Sequence, residues 1–111
     1  MDVLRDFQRG AVRLHVLHHA AHQAVSGAWL SVELARHGYA ISPGTLYPLL
    51  HDLEDQGLLT SAQRTEAGRV LRYYAATASG RSVLARARHA VAELAEELVP
   101  RPASRTRAPS R

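Results

Sequence analysis

The stretch ISPGTLYPLLHDLEDQGL, residues 41–58, limits what this chain can fold into more than any other. Leu46, Leu49, Leu50 and Leu53 recur at i, i+3, i+4 and i+7, which describes a helix with one inward face. Two prolines interrupt the pattern. A proline inside a helix removes a backbone hydrogen bond and crowds the carbonyl four residues back, at a cost of roughly 3 kcal/mol. Pro43 avoids that cost, because Ser42 suits the N-cap and the first helical position has no use for an N–H. Pro48 does not avoid it. It frees the carbonyl of Gly44, and Gly44, Pro48, His51 and Asp55 all fall opposite the leucines, with Tyr47 on the shoulder. Gly44 has no side chain to clash with the ring. The strain therefore sits on the outward face, where water or a polar partner satisfies the free carbonyl.

The flanking patterns supply the rest of the fold. Leu4, Phe7, Ala11, Leu14, His18, Ala21 and Val25 step by three and four, so one helix is expected over about residues 3–24 with an apolar stripe along it. Ser26 and Gly27 break it. AWLSVELARHG then reads as a short helix closed by Gly38, and Gly57 closes the proline-bearing helix with Leu58 placed for the usual hydrophobic contact. From Leu58 to Thr77 the pattern changes to LLTSAQR and RVLRYYAAT around a turn at residues 66–68, two short antiparallel strands. Tyr73 and Tyr74, on successive strand positions, point to opposite faces; one belongs to the core and the other is free to meet a partner. A last helix is expected over 78–99, where Leu84, Ala87, Val91, Leu94 and Leu98 form a coiled-coil-like seam. Pro100 ends it, and RPASRTRAPSR, with no apolar periodicity, is expected to be a disordered Arg-rich tail.

Length and composition narrow the class. At 111 residues there is room for one core, and with 46% hydrophobic residues but one Trp and one Phe that core must be aliphatic. The absence of Cys excludes disulfides, zinc-thiolate centres and cysteine nucleophiles. The apolar runs fall short of the ~20 residues that span a bilayer, and MDVLRDFQRG is unlike a signal peptide, so a cytoplasmic protein with no membrane partner is expected. All fourteen basic residues are Arg. Four of them, Arg101, Arg105, Arg107 and Arg111, lie in the tail, which leaves ten against the ten acids of residues 1–99. Locally the balance is different: Arg64, Arg69, Arg72, Arg81, Arg86 and Arg88 face only Glu66 between residues 58 and 88. No nucleophile–base pair, carboxylate pair or phosphate-cradling glycine loop is present, which argues against an enzyme.

Three helices, a basic hairpin and turn chemistry at the start of the third helix make a winged helix-turn-helix pattern. In such domains the third helix enters the major groove and the hairpin tip reaches phosphate. The fold class expected is mainly α with a small β-hairpin: residues 1–77 as DNA-binding domain with its N-terminal helix, 78–99 as C-terminal dimerisation helix, 100–111 as tail. On this reading Ser42, Gly44, Thr45, Tyr47 and His51 form the helical part of the DNA surface, and Arg64, Arg69, Arg72 and Tyr73 form the wing part. Ser42 and Thr45 have a capping role open to them, and Tyr47 a packing role. Trp29 and Phe7 are candidates to line a pocket near the interface.

Within this stretch, ISPGTLYPLLHDLEDQGLL followed by GRVLRYYAATASGRSVL resembles the PadR family of bacterial transcriptional regulators, over roughly residues 8–98. The resemblance implies a homodimeric winged-helix DNA binder of the short, single C-terminal helix subgroup, usually a repressor, released by a small molecule whose identity differs between members. It implies double-stranded operator DNA and a second copy of the chain as partners, and no cofactor. The expected dimer interface comprises Leu4, Phe7, Ala11, Leu14 and His18 on the first helix with Leu84, Ala87, Val91, Leu94 and Leu98 on the last, and two-fold symmetry gives half-sites about one DNA turn apart. Departures include Asp52, where a basic residue is common, and Asp55, so the outer half of the third helix should repel phosphate. That leaves open a winged-helix protein-interaction module that does not bind DNA.

RLHVLHHAAHQ raises a further alternative. His15, His18, His19 and His22 stand at i, i+3, i+4 and i+7, a spacing that gathers imidazoles on one side of a helix and suggests a zinc- or nickel-responsive regulator. Four ligands from one straight helix cannot surround one ion, and no carboxylate or thiol joins them locally. A second chain or His89 would have to help. His18 also continues the apolar stripe, which fits an interface as well as a metal.

Overall fold

The computed structural model describes residues 2–101, so residues 102–111 of the Arg-rich tail fall outside the described residues. The chain folds as α1 (Val3–His22), β1 (Val25–Ser26), α2 (Gly27–Arg36), α3 (Pro43–Asp55), β2 (Leu59–Glu66), β3 (Arg69–Ala76) and α4 (Ala78–Leu98). The hairpin is present as expected. One strand more joins it: β1, too short to read from periodicity, pairs antiparallel with β3 through Val25–Tyr74 and Ser26–Tyr73, and the sheet order is β1-β3-β2. The hairpin turn is two residues, Ala67 and Gly68, with φ of 51° and 77°. Positive φ at both positions matches the twist of the flanking strands.

Local chemistry sets the helix ends. Asp2, Ser26 and Thr77 cap α1, α2 and α4 by accepting from the backbone N–H of Arg5, Trp29 and Gly80. At the end of α2, Gly38 takes φ of 90° while the N–H groups of Gly38 and Tyr39 donate to the carbonyls of Ala35 and Leu34. Gly57 ends α3 in the same way, with Leu58 donating to Leu53; both are Schellman closures. Ser42 occupies the N-cap of α3, but its side chain makes no capping bond; its hydroxyl donates instead to that of Thr45 at 3.3 Å. Pro48 sits within α3, as the sequence requires, without ending it. Gly44 has a different explanation from the one expected: a Cβ there would meet only the Ser42 hydroxyl, at 3.8 Å, and not the proline ring. Its contribution is a flat outward surface.

The core gathers Leu46, Leu49, Leu50 and Leu53 of α3 with Leu30 and Leu34 of α2, Tyr74, Leu59 and Leu84. From α1 it takes Val12, Val16, Leu17 and Ala20. The stripe read from the sequence of α1 is thus a second face. Leu14 and Ala21 reach the core's edge, while Leu4 and Phe7 are exposed. Gly80 fixes the base of α4: any Cβ there would collide with the backbone of Leu58. Thr77 ties the same corner, its hydroxyl donating to the carbonyl of Gly57 at 2.6 Å.

Candidate nucleic-acid interface

The leucine stripe anchors α3 and so determines what the helix presents. Leu46, Leu50 and Leu53 are at most 2% exposed, whereas Ser42, Pro43, Gly44, Thr45, Tyr47, Pro48 and His51 are exposed. Tyr47 serves two surfaces at once. Its ring lies directly over Gly27, so closely that any side chain at 27 would overlap it, yet 40% of the residue remains exposed. The phenol is held rigid at the junction of α2 and α3 with one edge in solvent.

Asp52 does not stand free. Its carboxylate accepts from the Gln56 amide at 2.9 Å and lies 3.8 Å from the Arg13 guanidinium, so the negative charge on this helix is partly compensated from α1. Distance along the sequence hides that pairing. Asp55 has no comparable partner among the described residues.

The register of the wing sorts its arginines. Glu66 pairs with Arg69, Arg64 with Leu71 and Ala62 with Tyr73, which puts Arg64, Arg69 and Tyr73 on one face. Gln63 pairs with Arg72 and Ser61 with Tyr74, which puts Arg72 on the other face, that of the buried Tyr74. Arg72 donates to the Ser61 hydroxyl at 3.0 Å, which donates in turn to Glu54 at 2.9 Å. It braces the hairpin toward the end of α3 rather than standing beside Arg64. On the outer face the Arg64 guanidinium lies 4.3 Å above the Tyr73 ring, and the Tyr73 hydroxyl donates to Glu66 at 2.8 Å, which raises the phenol pKa. That contact fixes Arg64 in place and leaves its charge at the surface.

The other sequence candidates divide. Val91, Leu94 and Leu98 of α4 are 51, 40 and 68% exposed, and Leu4 and Phe7 of α1 are 63 and 56% exposed. Leu84 belongs to the chain's own core at 5%, Ala87 and Ala11 are half-buried, and His18 is exposed with Nδ1 3.4 Å from Arg88. A cavity of about 300 Å³ opens between α1, the loop after α2, and α3, among Arg5, Arg9, Tyr39, Ile41 and Thr45, and neither Phe7 nor Trp29 lines it. Sequence reasoning missed it because its wall is the irregular segment 38–41.

The histidines also divide. His18 and His22 face α4, beside Arg81 and Arg88. His15 and His19 face α2, where they meet His37 and Glu33. Burial, together with the neighbouring histidines, lowers the pKa of both rings, so they are neutral at pH 7. The Arg36 guanidinium, bonded to Glu33 at 2.7 Å, holds that carboxyl below its usual range.

This arrangement of helices and wing has relatives. The family model described as transcriptional regulator PadR-like matches residues 16–86, more than half of the chain. The chain belongs to the PadR family. Transcriptional regulator Rv3488 of Mycobacterium tuberculosis (strain ATCC 25618 / H37Rv) is 59% identical over 96 residues, which are 86% of this chain and 90% of that protein. Among solved structures, a PadR family transcriptional regulator from Eggerthella lenta DSM 2243 is 31% identical with a TM-score of 0.74, over 86% of this chain and 85% of that one. The PadR-like regulator BC4206 from Bacillus cereus strain ATCC 14579, 23% identical, shares the fold with a TM-score of 0.77 over 84 and 92%. This PadR protein is therefore a winged-helix transcriptional regulator, and its family and relatives are not enzymes.

Proposed function

We propose that this PadR protein is a homodimeric repressor that binds operator DNA with α3 in the major groove and the wing on adjacent phosphate, and that a small-molecule effector releases it. The observation that carries the reading is the outward face of α3. Ser42, Gly44, Thr45, Tyr47 and His51 form an exposed, side-chain-poor helical surface that begins at a free helix N-terminus, a favourable place for phosphate. Arg64 and Arg69 stand on one face of the hairpin next along the chain, and Arg72, bonded inward, acts by holding that hairpin. The pairing of Asp52 with Arg13 favours DNA over a protein-interaction module, since it reduces the repulsion that motivated the latter.

Residues 1–77 form the DNA-binding part and the helix from 78 the dimerisation part. The unpartnered apolar residues of α1 and α4 are the surface a second copy would cover, giving half-sites about one DNA turn apart. The cavity beside Thr45 lies where an effector could act on α3 directly. No helix among the described residues is long and apolar enough to cross a membrane, which accords with a cytoplasmic site of action.

Binding to the chain's own promoter region across a salt series tests the proposal. Two or three wing and helix contacts per protomer give about four to six per dimer, so log affinity should fall with log salt at a slope of about −4 to −5. Absence of a complex even at low salt would defeat it.

A further inference from the structure

The four polar side chains between α1 and α2 are arranged as a ligand set. His15 and His19, one turn apart on α1, face Glu33 of α2 and His37, the residue that ends that helix. One ring nitrogen from each of the three histidines lies within 4.8 Å of the others. Glu33 Oε2 lies 3.1 Å from His37 Nε2 and 3.5 Å from His19 Nε2. Zinc bonds of 2.0–2.1 Å in a tetrahedron separate neighbouring ligand atoms by about 3.3 Å. Two edges of such a tetrahedron, both meeting at Glu33 Oε2, are therefore already present, and His15 joins them through its place within 4.8 Å of His19 and His37.

Two further features point to a ligand. His19 Nε2 is buried and has no hydrogen-bond partner, the state of a donor atom that awaits a cation. Arg36 binds the other Glu33 oxygen, Oε1, at 2.7 Å, which orients Oε2 toward the histidines in the way outer partners orient metal-ligating carboxylates. Trp29 and Tyr39 close the sides, edge-on to His19 and His15 with ring centres 5.1 and 5.5 Å away. The positive group facing the site is Arg36, and the His18 ring borders it, its centre 4.9 Å from that of His19. Arg36 weakens the attraction for a cation without occupying a ligand position.

We infer that His15, His19, His37 and Glu33 form a binding site for zinc(II), joining α1 to the first helix of the helix-turn-helix. Three imidazoles and one carboxylate suit zinc and its borderline neighbours rather than calcium or magnesium. The site differs from the one the histidine run suggested. His18 and His22 turn away toward α4, and the carboxylate and third imidazole come from α2 and its C-cap, so no second chain and no His89 is needed. The inference is independent of the DNA reading.

The test uses the full untagged chain, stripped by a chelator and titrated with zinc by calorimetry and with cobalt(II) by visible absorption. Trp29, the single tryptophan, reports through its emission. One ion should bind per chain, with tetrahedral cobalt bands, a change in Trp29 emission and a raised thermal midpoint. His19→Ala and His37→Ala should each weaken binding more than tenfold, Glu33→Gln should weaken it and alter the cobalt bands, and His18→Ala and His22→Ala should titrate like the parent. His37 is half-exposed, so its truncation leaves the core intact even if Glu33→Gln unfolds the chain. Zinc binding that is equal in the parent and His37→Ala, or lost in His18→Ala or His22→Ala, overturns the assignment, as does absence of saturable binding.

Discussion

Helices α3 and α4 carry apolar stripes of the same kind, at three- and four-residue steps, and the two stripes end in opposite environments. That of α3 is buried throughout, with Leu50 at 0% exposure; that of α4 is buried only at Leu84 and then emerges through Val91, Leu94 and Leu98. Periodicity identifies the face a helix will cover and is silent on what covers it. The deciding fact is where the helix is anchored. Thr77 and Gly80 dock the first turn of α4 on Leu58, and beyond Leu84 the helix outruns the small core, which α1, α2, α3 and the sheet have already filled.

The largest expected effect separates the stripes directly. On a Val91→Asp background, Leu50→Ala should cost about 3 kcal/mol in urea unfolding, because it removes a fully buried side chain and leaves a cavity. Leu94→Ala on the same background should cost under about 1 kcal/mol. Equal losses would mean that the α4 stripe packs inside the monomer. Gly80→Ala comes next. Helix propensity favours alanine by about 1 kcal/mol, but the new Cβ meets the Leu58 backbone, which cannot rotate away. A net loss of roughly 2 kcal/mol is expected, with the thermal midpoint as readout.

The exposed stripe has its own test. Val91→Asp or Leu94→Asp alone should halve the mass measured by light scattering, since a charge would be placed in the seam. A mass unchanged from the parent means that the seam is not the dimer contact. In a dimer that still forms, Arg69→Ala should reduce the salt slope of DNA binding by about two, one contact per protomer. Arg72→Ala should act more through hairpin stability than through that slope. Were the two substitutions to change the slope alike, the division of the wing by its strand register would be wrong.

The sequence was legible wherever one local signal decided. The glycine closures at 38 and 57, the turn at Gly68 and the leucines of α3 all stand where spacing and residue chemistry put them. What could not be read depended on tertiary neighbours. Val12, Val16 and Ala20 face inward on α1 in place of the longer stripe through Phe7, because the core lies on that side. β1 exists because β3 offers it an edge. Asp52 found Arg13, and His15 and His19 found Glu33 and His37, across gaps no motif spans. Four histidines in one run suggested one cluster; packing divided them in two.

Acid should distinguish the two stripes by the smallest of these effects. Burial lowers the pKa of His15 and His19 below the ordinary 6.5. The unfolded chain then binds more protons than the folded chain from 6.5 down to the folded values, so stability rises with pH across that window and is lost as the pH falls through it. Glu33, also lowered, contributes stability above its ordinary 4.5 and loses it only further down. Both histidines lie between α1 and α2, away from the exposed stripe of α4. Between pH 7 and 5.5 the chelator-treated protein should therefore lose thermal midpoint while its mass at 25 °C stays constant. In a His15→Gln, His19→Gln double variant the decline should flatten, because the groups that take up protons on unfolding are gone. Parallel declines in parent and variant would place the acid sensitivity elsewhere than the seam between α1 and α2.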